Sequence, residues 1–228
     1  MFSFFKKKKD DSKVEISRKT KLGLALGGGG CRGIGHIGAL KAFEELLNRI
    51  YGDIMVFSEL KIPFSVVCTD LKTGKEVDFD YGNVAKVVSG SCAVPGVFSP
   101  VVHEDMHLVD GGLRNNVPVD VVKKMGANVV FAIDVNHLRG TGTGSLSTFS
   151  ALASTIGIMM QSKIDQTLAM ADLIFEPSLE TFSPLKFDGI DEMIQIGYDT
   201  VMANKDKIIK MLKLNPKKIG KYFSKNGK

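Results

Sequence analysis

Four consecutive glycines, Gly27 to Gly30, followed by Cys31, Arg32 and Gly33, set the narrowest limits on what this chain can become. Leu22-Gly-Leu-Ala-Leu26 before them reads as a short buried strand. After them Ile34, Ile37, Leu40, Phe43 and Leu47 recur every three or four residues, the period of one helical face, through about Asn48. A strand, a tight glycine turn and a helix in that order aim backbone N–H groups and the positive end of a helix at an anion. Two chemistries use that shape. Gly28 to Gly33 fits the Gly-x-Gly-x-x-Gly of a dinucleotide site, but such a site needs an acid ending a second strand about 20 residues on. Glu44 and Glu45 fall inside the helical pattern instead. The other chemistry is an oxyanion hole, where small residues let amides approach a developing negative charge and each donor is worth about 10²–10³ in rate.

The remaining text predicts an α/β fold. Phe64 to Thr69 and Val129 to Val135 are β-branched runs without clean alternation, as expected of buried parallel strands. Helical patterns cover about 117–125, 147–170, 189–203 and 205–214, and Gly140-Thr-Gly-Thr-Gly-Ser145 reads as a flexible connection. No repeat or long linker divides the chain, so residues 21–214 are expected to form one domain between a basic tail at 1–20 and another at 215–228. A chain of 228 residues can bury enough surface to fold without staples. Its three cysteines, Cys31, Cys68 and Cys92, include no Cys-x-x-Cys pair, which points to a reducing compartment rather than a disulfide framework or a zinc ribbon.

Charge is segregated. Residues 1–21 carry a net +5 and residues 205–228 a net +8, while 22–204 carry −8, so the body does not look like a nucleic-acid-binding surface. No apolar run reaches the 18 residues of a membrane span. Met1-Phe-Ser-Phe-Phe5 followed by Lys6 to Lys9 lacks the hydrophobic stretch of a signal peptide. A cytoplasmic protein is expected. Its end is either frayed in solution or peripheral to the inner face of the membrane, with Phe2, Phe4 and Phe5 at the interface and each lysine adding about 1 kcal/mol on anionic lipid.

Asp110-Gly111-Gly112 follows a predicted strand at Leu108-Val109 and leads into Leu113-Arg-Asn-Asn-Val-Pro118. An acid held in such an open turn can orient or deprotonate a nucleophile, although Asp-Gly is also an ordinary turn signature. Taken in order, Gly27-Gly-Gly-Gly-x-Arg-Gly33, Ile34-Gly-His-Ile-Gly-Ala-Leu40, Ser91-Cys-Ala-Val-Pro-Gly-Val-Phe98, Asp110-Gly-Gly-x-x-Asn-Asn-x-Pro118 and Ala132-Ile-Asp-Val135 resemble the patatin-like phospholipases over about residues 21–204. The resemblance implies a three-layer sandwich around a mostly parallel central sheet. It also implies a serine–aspartate dyad acting on acyl esters of phospholipids or related lipids, with no metal and no cofactor. Asp110 would be the dyad acid, within the motif Asp110, Gly111, Gly112. Gly28, Gly29, Gly30, Arg32 and Gly33 would form the oxyanion loop.

The nucleophile has no counterpart. The family carries Gly-x-Ser-x-Gly on a strand-to-helix elbow after the first helix, and no serine of this chain has glycine at both flanking second positions. The helix through Glu45 runs straight into Leu46 to Asp53, which resembles family sequence lying beyond the elbow, so an internal deletion near residues 45–51 is expected. Loss of a hydrolase nucleophile costs about 10⁶ in kcat, so the chain as written is expected to be inactive. The surrogates are weak. Cys31 lies in Gly29-Gly-Cys-Arg-Gly33, inside the loop it would have to use, Ser91 reads as a positioning residue, and Cys68 and Cys92 as small buried hydrophobes. His103-Glu-Asp-Met-His107 matches a zinc motif only on a helix, and here it lies in an expected hairpin with Glu104-Asp105 at the turn. His36 reads as a packing or capping residue, and His137 has no evident partner. The alternative to a hydrolase is a non-catalytic protein that binds lipid or a membrane surface through its basic tails.

Overall fold

The computed structural model describes residues 21–47, 63–136, 148–184 and 186–213. The two tails, the expected deletion junction beyond Leu47, the Gly140–Ser145 connection and His137 lie outside the described residues. The described strands form two sheets. The first is wholly parallel, with β6 (Val129–Ile133) in the middle, β1 (Leu22–Leu26) on one side and β7 (Leu173–Phe175) on the other.

Alternation along β6 decides its layers. Phe131 and Ile133 face α1 (Gly35–Leu47), α6 (Ile190–Ala203) and α7 (Lys205–Met211), in a core that includes Phe43, Phe175, Met193 and Val201. Phe43, Phe131 and Phe175 form a ring trio with centroids 5.5–6.0 Å apart, the edge-to-face and offset geometry that aromatic quadrupoles favour. Val130 and Ala132 face the opposite way, with Ala25, onto α4 (Val119–Lys124) and α5 (Thr148–Leu168). Helices on both faces of a parallel sheet give the α/β sandwich that the sequence predicts.

The second sheet departs from expectation. β2 (Val66–Asp70) is buried along its whole length, as read, but it is antiparallel to both neighbours in the order β3-β2-β5-β4, with β3 at Lys75–Phe79, β4 at Val101–His103 and β5 at Met106–Asp110. A four-residue turn joins β2 to β3, too short for the crossover that a parallel neighbour needs. Its continuous apolar run comes from cover on both faces, by α2 (Val84–Ser91) and by α3 (Gly112–Asn115). The Asn83 side chain accepts from the Lys86 N–H at 2.9 Å and starts α2.

The apolar stripe read for α1 also shifts. Ile37 is 55% exposed, and the buried face is built from Gly35, Gly38, Ala39, Ala42 and Phe43. Small residues win because α6 lies against the backbone of α1. A Cβ on Gly38 would sit 1.7 Å from the Ile194 carbonyl oxygen, and one on Gly197 would sit 1.9 Å from that of Gly35. Gly197→Ala is therefore expected to cost about 1–3 kcal/mol through overpacking, read as a lower urea midpoint. Gly157→Ala on α5, where a Cβ meets nothing within 4 Å, is expected to be neutral or stabilising by up to about 1 kcal/mol.

Candidate active site

The glycine turn leaves the carboxyl end of β1, where open α/β sheets place their ligands. Gly27 continues the β1–β6 ladder by donating to the Ile133 carbonyl at 2.8 Å. Gly28 then leaves the sheet and donates to the Asn116 carbonyl at 3.0 Å, while Asn116 Nδ2 donates back to the Gly28 carbonyl at 3.3 Å. A single 3-10 turn, Gly30–Ile34, leads into α1. Gly30 adopts φ +57°, and a Cβ there would lie 2.3 Å from the Pro184 carbonyl oxygen, so this position accepts glycine alone. Gly33 is under no such constraint, because its Cβ would meet nothing within 4 Å.

The candidate oxyanion loop has fewer free donors than its sequence offers. Gly28 N–H is engaged by Asn116, Cys31 N–H donates to the Pro184 carbonyl at 2.9 Å, and Arg32 N–H donates to the Gly29 carbonyl at 3.2 Å. Among the described residues, no hydrogen bond occupies the N–H of Gly29 or Gly30. These two adjacent amides are the ones able to meet a developing oxyanion.

The Arg32 side chain points away from that role. Its Nε donates to the Phe182 carbonyl at 2.8 Å, its Nη1 to Asn136 Oδ1 at 2.7 Å and its Nη2 to the Glu180 carbonyl at 3.3 Å. The guanidinium therefore straps residues 180–184 over the glycine turn, and burial lowers its pKa against the opposing pull of Glu180. His36 supports the turn from beneath. A carbonyl can only accept, so His36 Nε2–H donates to the Gly27 oxygen at 2.7 Å, and Nδ1 is buried without a partner among the described residues. Burial lowers the His36 pKa against the Gly27 hydrogen bond and the Asp134 charge, which keeps the ring neutral.

Asp110 ends β5. Its N–H donates to the Ala93 carbonyl at 3.0 Å, its carbonyl accepts from Thr69 Oγ1 at 2.9 Å, and its Oδ1 accepts from the Gly112 N–H at 2.7 Å. Gly111 lets this turn press onto β2, where a Cβ would come within 2.1 Å of the Val67 carbonyl oxygen. A Cβ built on Gly112 would lie 3.0 Å from Asp110 Oδ1 and 2.7 Å from Asn116 Oδ1. Asp110, Gly112, Asn116 and Gly28 thus form one continuous contact path from the acid to the glycine turn. The fold brings together the two motifs that the sequence singled out. Asn116 is the member to which sequence reasoning assigned no role, although it stands in the motif itself.

Among the described residues no hydrogen bond joins a surrogate nucleophile to a base. Ser91 Oγ donates to the Val67 carbonyl at 2.7 Å. Cys68 is buried as read, and burial pushes its thiol up to about 12, helped by Cys92 and Asp110; Cys92 is instead exposed, the reading of it as a buried hydrophobe failing there, and partial desolvation with the Asp110 charge still raises its thiol. Neither is a thiolate near neutrality. Cys31 is half-buried inside the loop. The hairpin reading of residues 103–107 holds, β4 and β5 pairing across a turn with Glu104 at φ +52°. No helix among the described residues is long and apolar enough to cross a membrane.

Comparison with known proteins agrees with the motifs. The model of the patatin-like phospholipase family matches residues 53–123. The mouse patatin-like phospholipase domain-containing proteins 7 and 6 are 25% and 26% identical over 183 and 184 residues, covering 68% and 69% of this chain. The lysophospholipase nte1 of Aspergillus fumigatus is 22% identical over 268 residues, covering 78% of the chain. The chain spans 14% of the length of the two mouse relatives and 18% of the fungal one. It resembles the patatin-like phospholipases and carries a matching α/β fold.

Two outcomes follow from the geometry. Burial raises the Asp110 carboxyl above its ordinary 3.8, the Gly112 N–H pulling it partly back, so the folded state holds that proton more tightly than the unfolded state. Stability is then lost as pH climbs from about 3.8 through the raised value, and the penalty persists above it. Asp110→Asn keeps the acceptor without the charge and is expected to melt no lower than wild type at pH 7, with any advantage vanishing below pH 3.8. Arg32→Ala is expected to free the strap, raising amide hydrogen exchange at Cys31 by about tenfold or more while Gly27 and its β6 partner change little.

Proposed function

We propose that this patatin-like chain holds the acid and oxyanion side of a serine–aspartate lipid acyl hydrolase and lacks its nucleophile. The observation that carries the reading is the pair of unoccupied amides, Gly29 and Gly30, on a turn that Asn116 ties to the Asp110 turn. In a complete site a serine hydroxyl attacks the acyl carbonyl of a lipid ester and passes its proton to the Asp110 carboxylate. The carbonyl oxygen takes up negative charge and receives the Gly29 and Gly30 N–H groups. Collapse of the tetrahedral intermediate expels the alcohol, which takes the proton back from Asp110, and water repeats the sequence to release the acid. That Asp110 begins with a raised pKa suits a group that must accept a proton and return it.

Internal shortening is consistent with the comparisons. The alignment with the Aspergillus fumigatus relative extends over 268 residues, more than the 228 of this chain, so the relative carries sequence within the aligned span that this chain lacks. The other reading is non-catalytic attachment to an anionic lipid surface through the two basic ends, supported by the segregation of charge between tails and body. Salt-sensitive co-sedimentation with anionic liposomes that is lost on replacing Lys6 to Lys9 would favour it.

Intact-mass spectrometry after treatment with a fluorophosphonate decides the catalytic question. The chain as written is expected to gain no adduct. A stoichiometric adduct, mapped to Cys31, Ser91 or any other residue, would sink the claim that the nucleophile is missing. Insertion of the elbow segment of a relative between Glu45 and Leu46 is expected to restore labelling and ester hydrolysis, with Asp110→Asn lowering that restored hydrolysis by at least about 10³.

A further inference from the structure

Among the described residues the outermost strands of the two sheets are β1, β7, β3 and β4. Three of them carry a feature that keeps an edge from recruiting another strand. β4 and β7 are three residues long, and β3 bears Lys75, Glu76 and Asp78. β1 has none of these: Leu22-Gly-Leu-Ala-Leu26 is five residues long, holds no charge and no proline, and stays in unbroken register with β6.

The bonds already made show which backbone groups of β1 remain. Val129 N–H donates to the Lys21 carbonyl at 3.3 Å and Gly27 N–H to the Ile133 carbonyl at 2.8 Å, so the odd-numbered residues of the strand bond toward β6. Alternation turns the N–H and C=O of Leu22, Leu24 and Leu26 the other way. Gly28, next in that set, does face away from β6: its N–H reaches the Asn116 carbonyl at 3.0 Å and closes the edge at its carboxyl end. No hydrogen bond among the described residues takes up the outward groups of the three leucines. The side chains agree. Phe131 and Ile133 of β6 are fully buried, whereas Leu24 and Leu26, their register partners on the same core face, are only partly buried.

We propose that β1 pairs with β1 of a second copy of this chain, antiparallel about a two-fold axis beside Leu24. The open stretch is centred on that residue, so the strand is its own complement. Leu22 of one copy lies opposite Leu26 of the other, Leu24 lies opposite its mate, and each such pair exchanges two N–H···O=C bonds. Gly23 falls opposite Ala25, small residues at the closely spaced positions without hydrogen bonds, and Lys21 falls opposite Gly27, so no like charges meet. The pairing joins two three-stranded parallel sheets into one and covers leucines that water now reaches. It also brings Lys21 of each copy level with the start of the other's glycine turn. The contact goes beyond the acyl-hydrolase reading and does not depend on it.

The test uses the full chain and reads the edge residue by residue. Amide hydrogen exchange is expected to protect Gly23 and Ala25 at every protein concentration, and to protect Leu22, Leu24 and Leu26 about tenfold or more as the concentration rises. Sedimentation velocity is expected to show monomer giving way to dimer over the same range. Leu24→Pro removes one outward N–H and leaves the β6 ladder intact, so it is expected to weaken the dimer by about tenfold or more. Leu24→Ala loses the same leucine side chain but keeps the N–H, and is expected to weaken it much less. Protection of Gly23 and Ala25 reports whether each variant has folded; if Leu24→Pro has not, the wild-type exchange pattern decides. Leucine amides protected at every concentration would mean that one chain closes its own edge. Leucine amides exchanging freely up to roughly 0.5 mM would mean that no strand joins it. A dimer that survives Leu24→Pro, or falls equally with Leu24→Ala, would lie on another surface. Each of these results overturns the pairing.

Discussion

The exchange of hydrogen bonds between Gly28 and Asn116 is the join on which the site depends. Gly28 belongs to the turn after the outer strand of the parallel sheet, and Asn116 to the segment that leaves the antiparallel sheet through Asp110. One backbone donor and one side-chain amide fix the distance between an acid and two free amides that are more than 75 residues apart in sequence. A reciprocal pair of this kind is worth only a few kcal/mol at most, yet it is directional, and direction is what a site built from two turns lacks. Everything nearby serves to hold it: His36 under Gly27, Gly111 pressed on Val67, and the Asp110 carboxylate on the Gly112 N–H.

The glycine-rich loop illustrates the difference between a motif and its working atoms. Seven residues of sequence offer a run of amides, but neighbours claim several of them and, among the described residues, leave Gly29 and Gly30. Arg32 looks, by charge and place, like an electrophile for an oxyanion, and its three hydrogen bonds instead go to the strap and Asn136. The glycines earn their positions for unlike reasons as well, Gly30 by its left-handed backbone beneath Pro184 and Gly38 by the close passage of α6.

Much of the fold was legible because its signals are local. The periodic runs predicted at 147–170 and 189–203 appear as Thr148–Leu168 and Ile190–Ala203, and the β-branched run at 129 forms the central strand of its sheet. The direction of β2 was not legible, since a strand covered on both faces shows the same apolar text in either kind of sheet. The inward face of α1 was misread because hydrophobicity scales reward Ile37, while the packing rewards the absence of a side chain at Gly38. In the site, Asp110 and the glycine turn announce themselves by composition. Asn116, Phe182 and Pro184 contribute a carbonyl each, and a backbone carbonyl leaves no mark in a sequence.

The strap carries a consequence for biosynthesis. The glycine turn is made early, but its amides and carbonyls wait for partners that emerge from the ribosome later: Asn116 for Gly28, Ile133 for Gly27, Asn136 and Phe182 for Arg32, and Pro184 for Cys31. The turn is therefore finished in stages and closes only once Pro184, 153 residues beyond Cys31, has been synthesised. Until then a glycine-rich, entropically costly loop stands open beside a half-built sheet. The rate of translation through the residues before Pro184 sets how long that interval lasts.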